Sequence, residues 1–118
     1  MAQALAAHAG TRMEVIARNV ANADTPGFRA LDLPAFGSVY QDNAAFTPRQ
    51  TRPGHFANKD SQTGQPTRFG SGMSPNGNDV SLDQQMLRAV ETRQSHEMAL
   101  AVYRNTSAIV RTSLGRNN

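Results

Sequence analysis

The segment Arg18-Asn19-Val20-Ala21-Asn22-Ala23-Asp24-Thr25-Pro26-Gly27-Phe28 marks the boundary between two kinds of structure. Pro26 disfavours helical geometry at Thr25, so a helix that precedes this segment has to end here. The Pro26-Gly27 pair suits the centre of a type II turn, because glycine tolerates the positive φ that the second central position requires. Side chains able to bond backbone groups freed at the helix end are Asn19, Asn22 and Asp24. The sequence therefore predicts a helix that turns sharply into an extended segment, which Phe28 anchors in an apolar site.

Upstream of this turn, residues 2–21 are rich in alanine and contain no proline. Apolar residues recur at helical spacing and so share one face of a first helix. They are Leu5, Ala9, Met13, Ile16 and Val20. Gly10 weakens the middle of this helix by about 1 kcal/mol relative to alanine.

A second helix is predicted from Leu82 to about Leu114, a stretch without proline or glycine. Ser81 suits its N-cap, and Gln84 stands where a capping box requires an amide or acid. Gly115 is a suitable C-terminal stop. At 1.5 Å per residue the helix would be roughly 50 Å long.

A coiled-coil seam can be traced along this second helix through positions spaced alternately by four and three residues. The seam consists of Leu82, Met86, Ala89, Arg93, His96, Leu100, Tyr103, Ser107, Val110 and Leu114. Arg93 and His96 interrupt it, either because the helix turns its solvated side there or because they fix register against an acidic partner. Further apolar residues widen the surface beyond one stripe, namely Met98, Ala101, Val102, Ala108 and Ile109. A helix with two apolar faces is expected to contact more than one neighbour.

Between the helices, residues 28–80 hold five of the six prolines and many of the glycines. Prolines and glycines at this density argue against a helix or a long central strand. Apolar bulk for a short extended segment or hairpin comes from Leu31, Leu33, Phe36, Val39 and Tyr40. Residues 41–79 are predicted to be irregular, which in a loop this long points to a function, to docking on a neighbour or to disorder.

The predicted fold is mostly α. Long N- and C-terminal helices pair as an antiparallel coiled-coil-like hairpin, with a long irregular insert that contains a short extended or β segment. The expected segments are 1–27, 28–80 and 81–118, with both terminal helices forming one domain. Only 38% of residues are hydrophobic, and there is no tryptophan. A chain this small and this poor in apolar bulk is not expected to close a core alone, so its apolar helical faces need partners.

Composition and spacing argue against several other functions. The net charge of +3 is spread along the chain without a polybasic run, which argues against nucleic acid as a partner. The absence of cysteine excludes disulfide and thiolate chemistry. No stretch approaches the ~20 apolar residues of a membrane span. The histidines lack metal-ligand spacing, and neither a nucleophile elbow nor a phosphate loop occurs, so we expect no enzyme, metal or cofactor.

The turn segment resembles a signature of the flagellar rod, hook and hook-associated proteins, Asn-x-x-Asn-x-x-Thr-Pro-Gly-Phe/Tyr after a first helix. The matching residues are Asn19, Asn22, Thr25, Pro26, Gly27 and Phe28. Residues 29–36 (Arg-Ala-Leu-Asp-Leu-Pro-Ala-Phe) and 75–86 (Pro-Asn-Gly-Asn-Asp-Val-Ser-Leu-Asp-Gln-Gln-Met) are similar to the proximal-rod members of that family. Two departures are Asn76 and Gln85, which stand where acidic residues are common. The Tyr-Gln-Ala-Asn pattern of the sister proteins' last helix is absent, which favours the proximal-rod type.

The resemblance implies a structural subunit of the proximal rod of the bacterial flagellar basal body. Such a subunit assembles helically with other rod proteins and copies of itself to transmit torque. It passes through the flagellar type III export apparatus without a cleaved signal peptide, lies in the periplasmic rod, and meets the membrane-ring base or its adapter protein. The residues expected to pack between subunits are Leu5, Met13, Ile16, Val20, Leu82, Met86, Leu100, Tyr103, Val110 and Leu114. The alternative is a helical-hairpin binding module that docks a single partner helix.

Overall fold

The computed structural model describes residues 1–44, 51–52, 64–69, 72 and 75–115. In chain order the elements are α1 (Ala2–Ala21), β1 (Leu31–Asp32), α2 (Phe36–Ala44), β2 (Thr67–Arg68) and α3 (Leu82–Ser113). The predicted fold class is confirmed, since two long terminal helices pack against each other and a two-stranded antiparallel sheet lies between them in sequence. The helices are antiparallel: Asn19 near the end of α1 meets Gln85 near the start of α3, whereas Ala2 lies beside Ala99.

The buried face of α1 differs in part from the predicted apolar stripe. Ala9 and Ile16 of that stripe are buried within the chain, whereas Val20 is 44% exposed. His8 and Asn19 are buried instead, because their side chains bond the backbone of the segment that follows the turn. Polar contacts have therefore rotated the helix away from the face that hydrophobicity alone indicates.

The predicted end of α1 is confirmed in detail. The helix stops at Ala21, and the Phe28 amide donates to the Thr25 carbonyl oxygen at 3.2 Å across the Pro-Gly pair. Gly27 has φ +73°, as the second central position of a type II turn requires. The Asn22 side chain donates to the Arg18 carbonyl at 2.8 Å and so satisfies a carbonyl of the last helical turn.

The limits of α3 were also predicted correctly, but the capping box is wrong. Ser81 is the N-cap residue, yet its side chain makes no capping hydrogen bond. At the other end Gly115, at φ +68°, donates its amide to the Thr112 carbonyl, which confirms the glycine stop.

The row of α3 that faces α1 consists of Gln85, Thr92 and Ala99, spaced by seven residues. It lies beside the predicted seam, of which Met86 and Tyr103 are 69% and 57% exposed. The exposed seam residues were predicted to pack between subunits; the contact with α1 is made by the neighbouring row instead, because α1 offers polar side chains at this interface. The face of α3 that packs on α1 is therefore made of polar or small residues rather than large apolar ones.

The segment between the long helices contains two unpredicted elements, the helix α2 and the strand β2, which lies within the stretch predicted to be irregular. β1 pairs with β2 in the register Leu31↔Arg68 and Asp32↔Thr67, which confirms the short β segment. Phe36–Ala44, however, is a helix and not an extended or irregular stretch. It fits between two prolines, and Phe36, Val39 and Tyr40 fall at helical spacing, so that Phe36 stacks on His8 and on Tyr40. Most of the irregular structure predicted for residues 41–79 lies outside the described residues.

Large apolar side chains contribute little to the interior. Half of the buried hydrophobic residues in the described ranges are alanines; the full set is Ala4, Ala9, Val15, Ile16, Ala30, Leu33, Val39 and Ala99. The hairpin is therefore held together by small residues and by polar contacts.

Within the same described ranges, no helix is both long and apolar enough to cross a membrane.

Candidate assembly surfaces and the junction that positions them

The turn after α1 is built against the segment that leads into α3. The Gly27 amide donates to the Asn76 carbonyl at 3.1 Å, and the Asp79 amide donates to the Phe28 carbonyl at 3.3 Å. Gly77, at φ +80°, packs against Gly27, and an added Cβ would be in ordinary van der Waals contact with the Gly27 Cα at 3.5 Å. Residues 25–28 and 75–79, which the sequence showed as two separate patterns, thus form one junction.

Asn78 is the central side chain of this junction. Its amide nitrogen lies 3.0, 2.7 and 2.8 Å from the carbonyl oxygens of Asn22, Ala23 and Thr25. Its own oxygen accepts from the Val80 amide at 2.8 Å, and the residue is 2% exposed. One buried amide therefore binds three carbonyl oxygens of the turn that follows α1.

Asn19 performs a similar task one helical turn earlier. Its side chain donates to the Leu31 carbonyl at 2.7 Å and accepts from the Leu31 amide at 3.1 Å, so it pairs with β1 as a neighbouring strand would. It also donates to Gln85 Oε1 at 3.1 Å, and both side chains are almost fully buried. A neutral amide at Gln85 suits this site, since burying a carboxylate there would carry a larger desolvation cost. The contact ties α1, β1 and α3 together.

An ion cluster next to this amide pair involves residues that the sequence analysis missed. Arg12 binds Asp32 with two parallel contacts of 2.9 Å, and Arg88 lies 3.5 Å from the same carboxylate. The Arg88 guanidinium also stacks 3.6 Å from the centre of the Phe69 ring. Burial works to raise the pKa of Asp32, but the contact with Arg12 outweighs it and leaves that pKa below its ordinary value. The same contact raises the pKa of Arg12. Sequence spacing carries no signal for such long-range pairs.

His8 completes the polar side of α1. Its Nε2 lies 3.0 Å from the Pro34 carbonyl oxygen, and its ring meets Phe36 edge-on with centroids 5.6 Å apart. Burial lowers the pKa of His8, against the raising effect of the Pro34 carbonyl. The neutral ring is therefore favoured in the folded hairpin.

The outer surface of α3 has the opposite character. Large apolar side chains along it are about half or more exposed; they are Leu82, Met86, Leu87, Val90, Met98, Val102, Tyr103, Ile109 and Val110. By helical phase most of them fall on both sides of the row that faces α1, whereas Tyr103 and Val110 continue that row. Because Ala2 lies beside Ala99 and Tyr103, residues 104–113 extend about 15 Å past the start of α1. No other described element covers that end of α3.

The structure brings together one of the two predicted sets of site residues. The turn motif Asn19, Asn22, Thr25, Pro26, Gly27 and Phe28 lies in or beside the junction. Of the expected subunit-packing residues, Ile16 is buried, and Leu5, Met13 and Leu100 are half-buried. The rest are exposed, namely Val20, Leu82, Met86, Tyr103, Val110 and Leu114. Their packing between subunits stays a prediction.

Fold and surface define a structural helical hairpin that keeps polar groups inside its junction and large apolar groups outside. Residues 2–29, which span α1 and the turn motif, match the family model described as flagella basal body rod protein. The protein described as flagellar basal body rod protein FlgB from Agrobacterium fabrum (strain C58) is 31% identical, over 74% of this chain and 69% of that protein. The chain belongs to the family of flagellar basal body rod proteins and is of the FlgB type. Its role is accordingly structural, in the flagellar basal body.

Proposed function

We propose that this chain is a subunit of the proximal rod, which assembles helically with copies of itself and with other rod proteins and transmits torque. The observation that carries the proposal is the surface of α3, where large apolar residues outnumber those buried against α1. Exposed apolar area of this extent along one helix is typical of a protein–protein contact.

The end of α3 gives the strongest support. Residues 104–113 extend beyond α1, and all but Ser107, which is half-buried, are exposed. A helix of about ten residues without tertiary contacts is marginal in water, because too few hydrogen bonds offset the cost of nucleation. Ile109 and Val110 on this end would be stabilised by a helix of a neighbouring subunit.

Transmission of torque requires a subunit that does not hinge at its turn. The junction meets this need because Asn78 and Asn19 lock the turn and β1 through several short hydrogen bonds each. Buried networks with all members satisfied make a structure rigid. The apolar outer surface then supplies dense packing between subunits.

Further partners and the location follow from the family. We propose passage through the flagellar type III export apparatus, contact with the membrane-ring base or its adapter protein, and a final position in the periplasmic rod. A module that docks a single partner helix is disfavoured, since the exposed apolar residues of α3 lie on two sides of the helix and call for more than one neighbour.

The test is complementation of a strain that lacks the gene, scored by motility and by rods in isolated basal bodies. Leu100→Asp places a charge at a half-buried site of the helix pair, and Gly27→Val forces a β-branched residue to φ +73°. Both variants should fail to form rods. Gln94→Asp, an exposed control on α3, should complement fully. Rods formed at normal level by both variants would contradict the proposed role.

A further inference from the structure

Asn76 and Gly77 form the outer corner of the junction. Asn76 is exposed, and its main-chain carbonyl accepts from the Gly27 amide at 3.1 Å. Its side-chain oxygen Oδ1 accepts from the Asn78 amide, two residues on, at 3.2 Å. This contact is an Asx turn, which folds the side chain back over the peptide bond that follows it. The Cγ atom of Asn76 therefore lies beside the Gly77 nitrogen.

The Gly77 nitrogen is available for reaction. Among the residues that the structure describes, no oxygen accepts a hydrogen bond from the Gly77 amide. Gly77 has no side chain to shield this nitrogen, and its φ of +80° is one that glycine adopts without strain. A nitrogen held next to an amide carbon of the same chain can close a small ring readily, because little freedom of motion is lost on the way to reaction.

Asn78, the neighbouring asparagine of the junction, lacks these features although it makes the same kind of turn. It is 2% exposed, and its side-chain nitrogen is held by three carbonyl oxygens. The amide that would attack it is that of Asp79, and this amide donates to the Phe28 carbonyl at 3.3 Å. The junction therefore protects Asn78 and leaves Asn76 open to attack.

We propose that Asn76 deamidates spontaneously in the folded chain, with the Gly77 nitrogen as the nucleophile. This nitrogen loses its proton to water and bonds to the Asn76 Cγ, while the Cγ–Nδ2 bond breaks and the side-chain nitrogen leaves as ammonia. The Asn78 amide donates to Oδ1, the oxygen on which negative charge develops in the intermediate. One water molecule then opens the cyclic imide. The net reaction takes up water, releases ammonia and changes no oxidation state.

The two ways of opening the imide have different effects on the junction. Attack of water on Cγ gives aspartate, which keeps the backbone and an oxygen for the Asn78 amide. Attack on the main-chain carbonyl gives isoaspartate, in which the chain is longer by one carbon atom. The carbonyl that the Gly27 amide binds then becomes part of a free carboxylate. The junction accordingly keeps its contacts with aspartate and is distorted by isoaspartate.

Peptide mapping by mass spectrometry tests the proposal on the full chain, incubated at pH 8 with and without urea. In the folded chain Asn76 should convert to the acid at least about tenfold faster than Asn78, with fragment ions separating the two sites. Its conversion should be no more than about tenfold slower than in the urea-unfolded chain. The control Asn76→Gln keeps an amide but needs a larger ring, and should stay unchanged.

Two results of this experiment would overturn the proposal. One is an Asn76 that stays intact in the folded chain while the unfolded chain converts, since the fold would then hold the Gly77 nitrogen away from Cγ. The other is equal conversion of Asn76 and Asn78 in the folded chain, since the contacts described here would then select neither site.

A pair of substitutions tests whether the junction accepts the aspartate product. Asn76→Asp should leave the unfolding equilibrium constant in urea within about threefold of wild type, as expected of an exposed site. Asn78→Asp is the matched control and should raise that constant by at least about tenfold, because three carbonyl oxygens lose their buried donor. Equal losses in the two variants would refute the claim that aspartate at this corner keeps the junction intact.

Discussion

Individual buried side chains in this hairpin are largely amides and charges. Asn19, Gln85 and Asn78 are each at most 2% exposed, and each bonds a defined partner. A buried amide is tolerated only when it is hydrogen-bonded, so each of these residues accepts one arrangement of the chain around it. At the scale of residues the hairpin is therefore specified by polar contacts.

Replacing Asn19 by alanine should lower the free energy of unfolding by about 3 kcal/mol, because the Leu31 amide and the Gln85 side chain lose their partner in a buried site. Urea unfolding followed by circular dichroism measures the change. Asn22→Ala is the control: its hydrogen bond to Arg18 is exposed, so the cost should be about 1 kcal/mol or less. Equal losses in the two variants would show that the Asn19 contacts do not hold the hairpin.

Stability should fall in acid in two windows. The pKa of His8 is lowered on folding, mainly by burial, so the unfolded chain binds the proton more tightly and stability is lost as pH drops below 6.5. The pKa of Asp32 is also lowered, since Arg12 outweighs the effect of burial, and its contribution is lost as pH drops below 3.8. Thermal melts from pH 8 to pH 3 measure both. His8→Gln should abolish the first window only; persistence of that window in the variant would rule out His8 as its source.

At the scale of elements, α3 has two different parts. Its first two-thirds pack on α1 through Gln85, Thr92 and Ala99, and its last third extends free. The positions of proline and glycine in the sequence were sufficient to predict both long helices and the turn, because these residues restrict or extend the backbone angles where they occur. The contact face of α3 was not predictable from hydrophobic spacing. That pattern identifies the apolar face, whereas His8, Arg12 and Asn19 make the intramolecular face polar.

The substitution Val110→Asp should show that the free end of α3 has a different role from the part that packs on α1. Val110 is 50% exposed in the free end, so the free energy of unfolding of the isolated chain should change by no more than about 0.5 kcal/mol. Rod formation in complemented cells should nevertheless be lost, because a charge would enter the subunit contact. Thr112→Asp, which introduces the same charge on another side of α3, is the matched control and should form rods. Loss of rods in both variants to the same degree would indicate a general effect of charge.

In the whole molecule, a hydrogen-bonded junction positions an apolar outer surface of α3, and no other described part of the chain covers that surface. The sequence patterns at residues 19–28 and 75–86 were visible separately, but only the fold shows that they bind each other. The ion cluster of Arg12, Asp32 and Arg88 and the helix α2 were missed, since their contacts join parts of the chain that are distant in sequence.

Amide hydrogen exchange can show whether neighbouring subunits cover the free end of α3, by comparing peptides from residues 104–113 and 85–99 in the dilute isolated chain and in assembled rods. For the isolated chain we predict rapid exchange at 104–113 and slower exchange at 85–99, where α1 covers the helix. In rods, protection of 104–113 should rise to the level of 85–99. If residues 104–113 are already as protected as 85–99 in the dilute monomer, this end of α3 needs no neighbour, which would contradict the proposed packing between subunits.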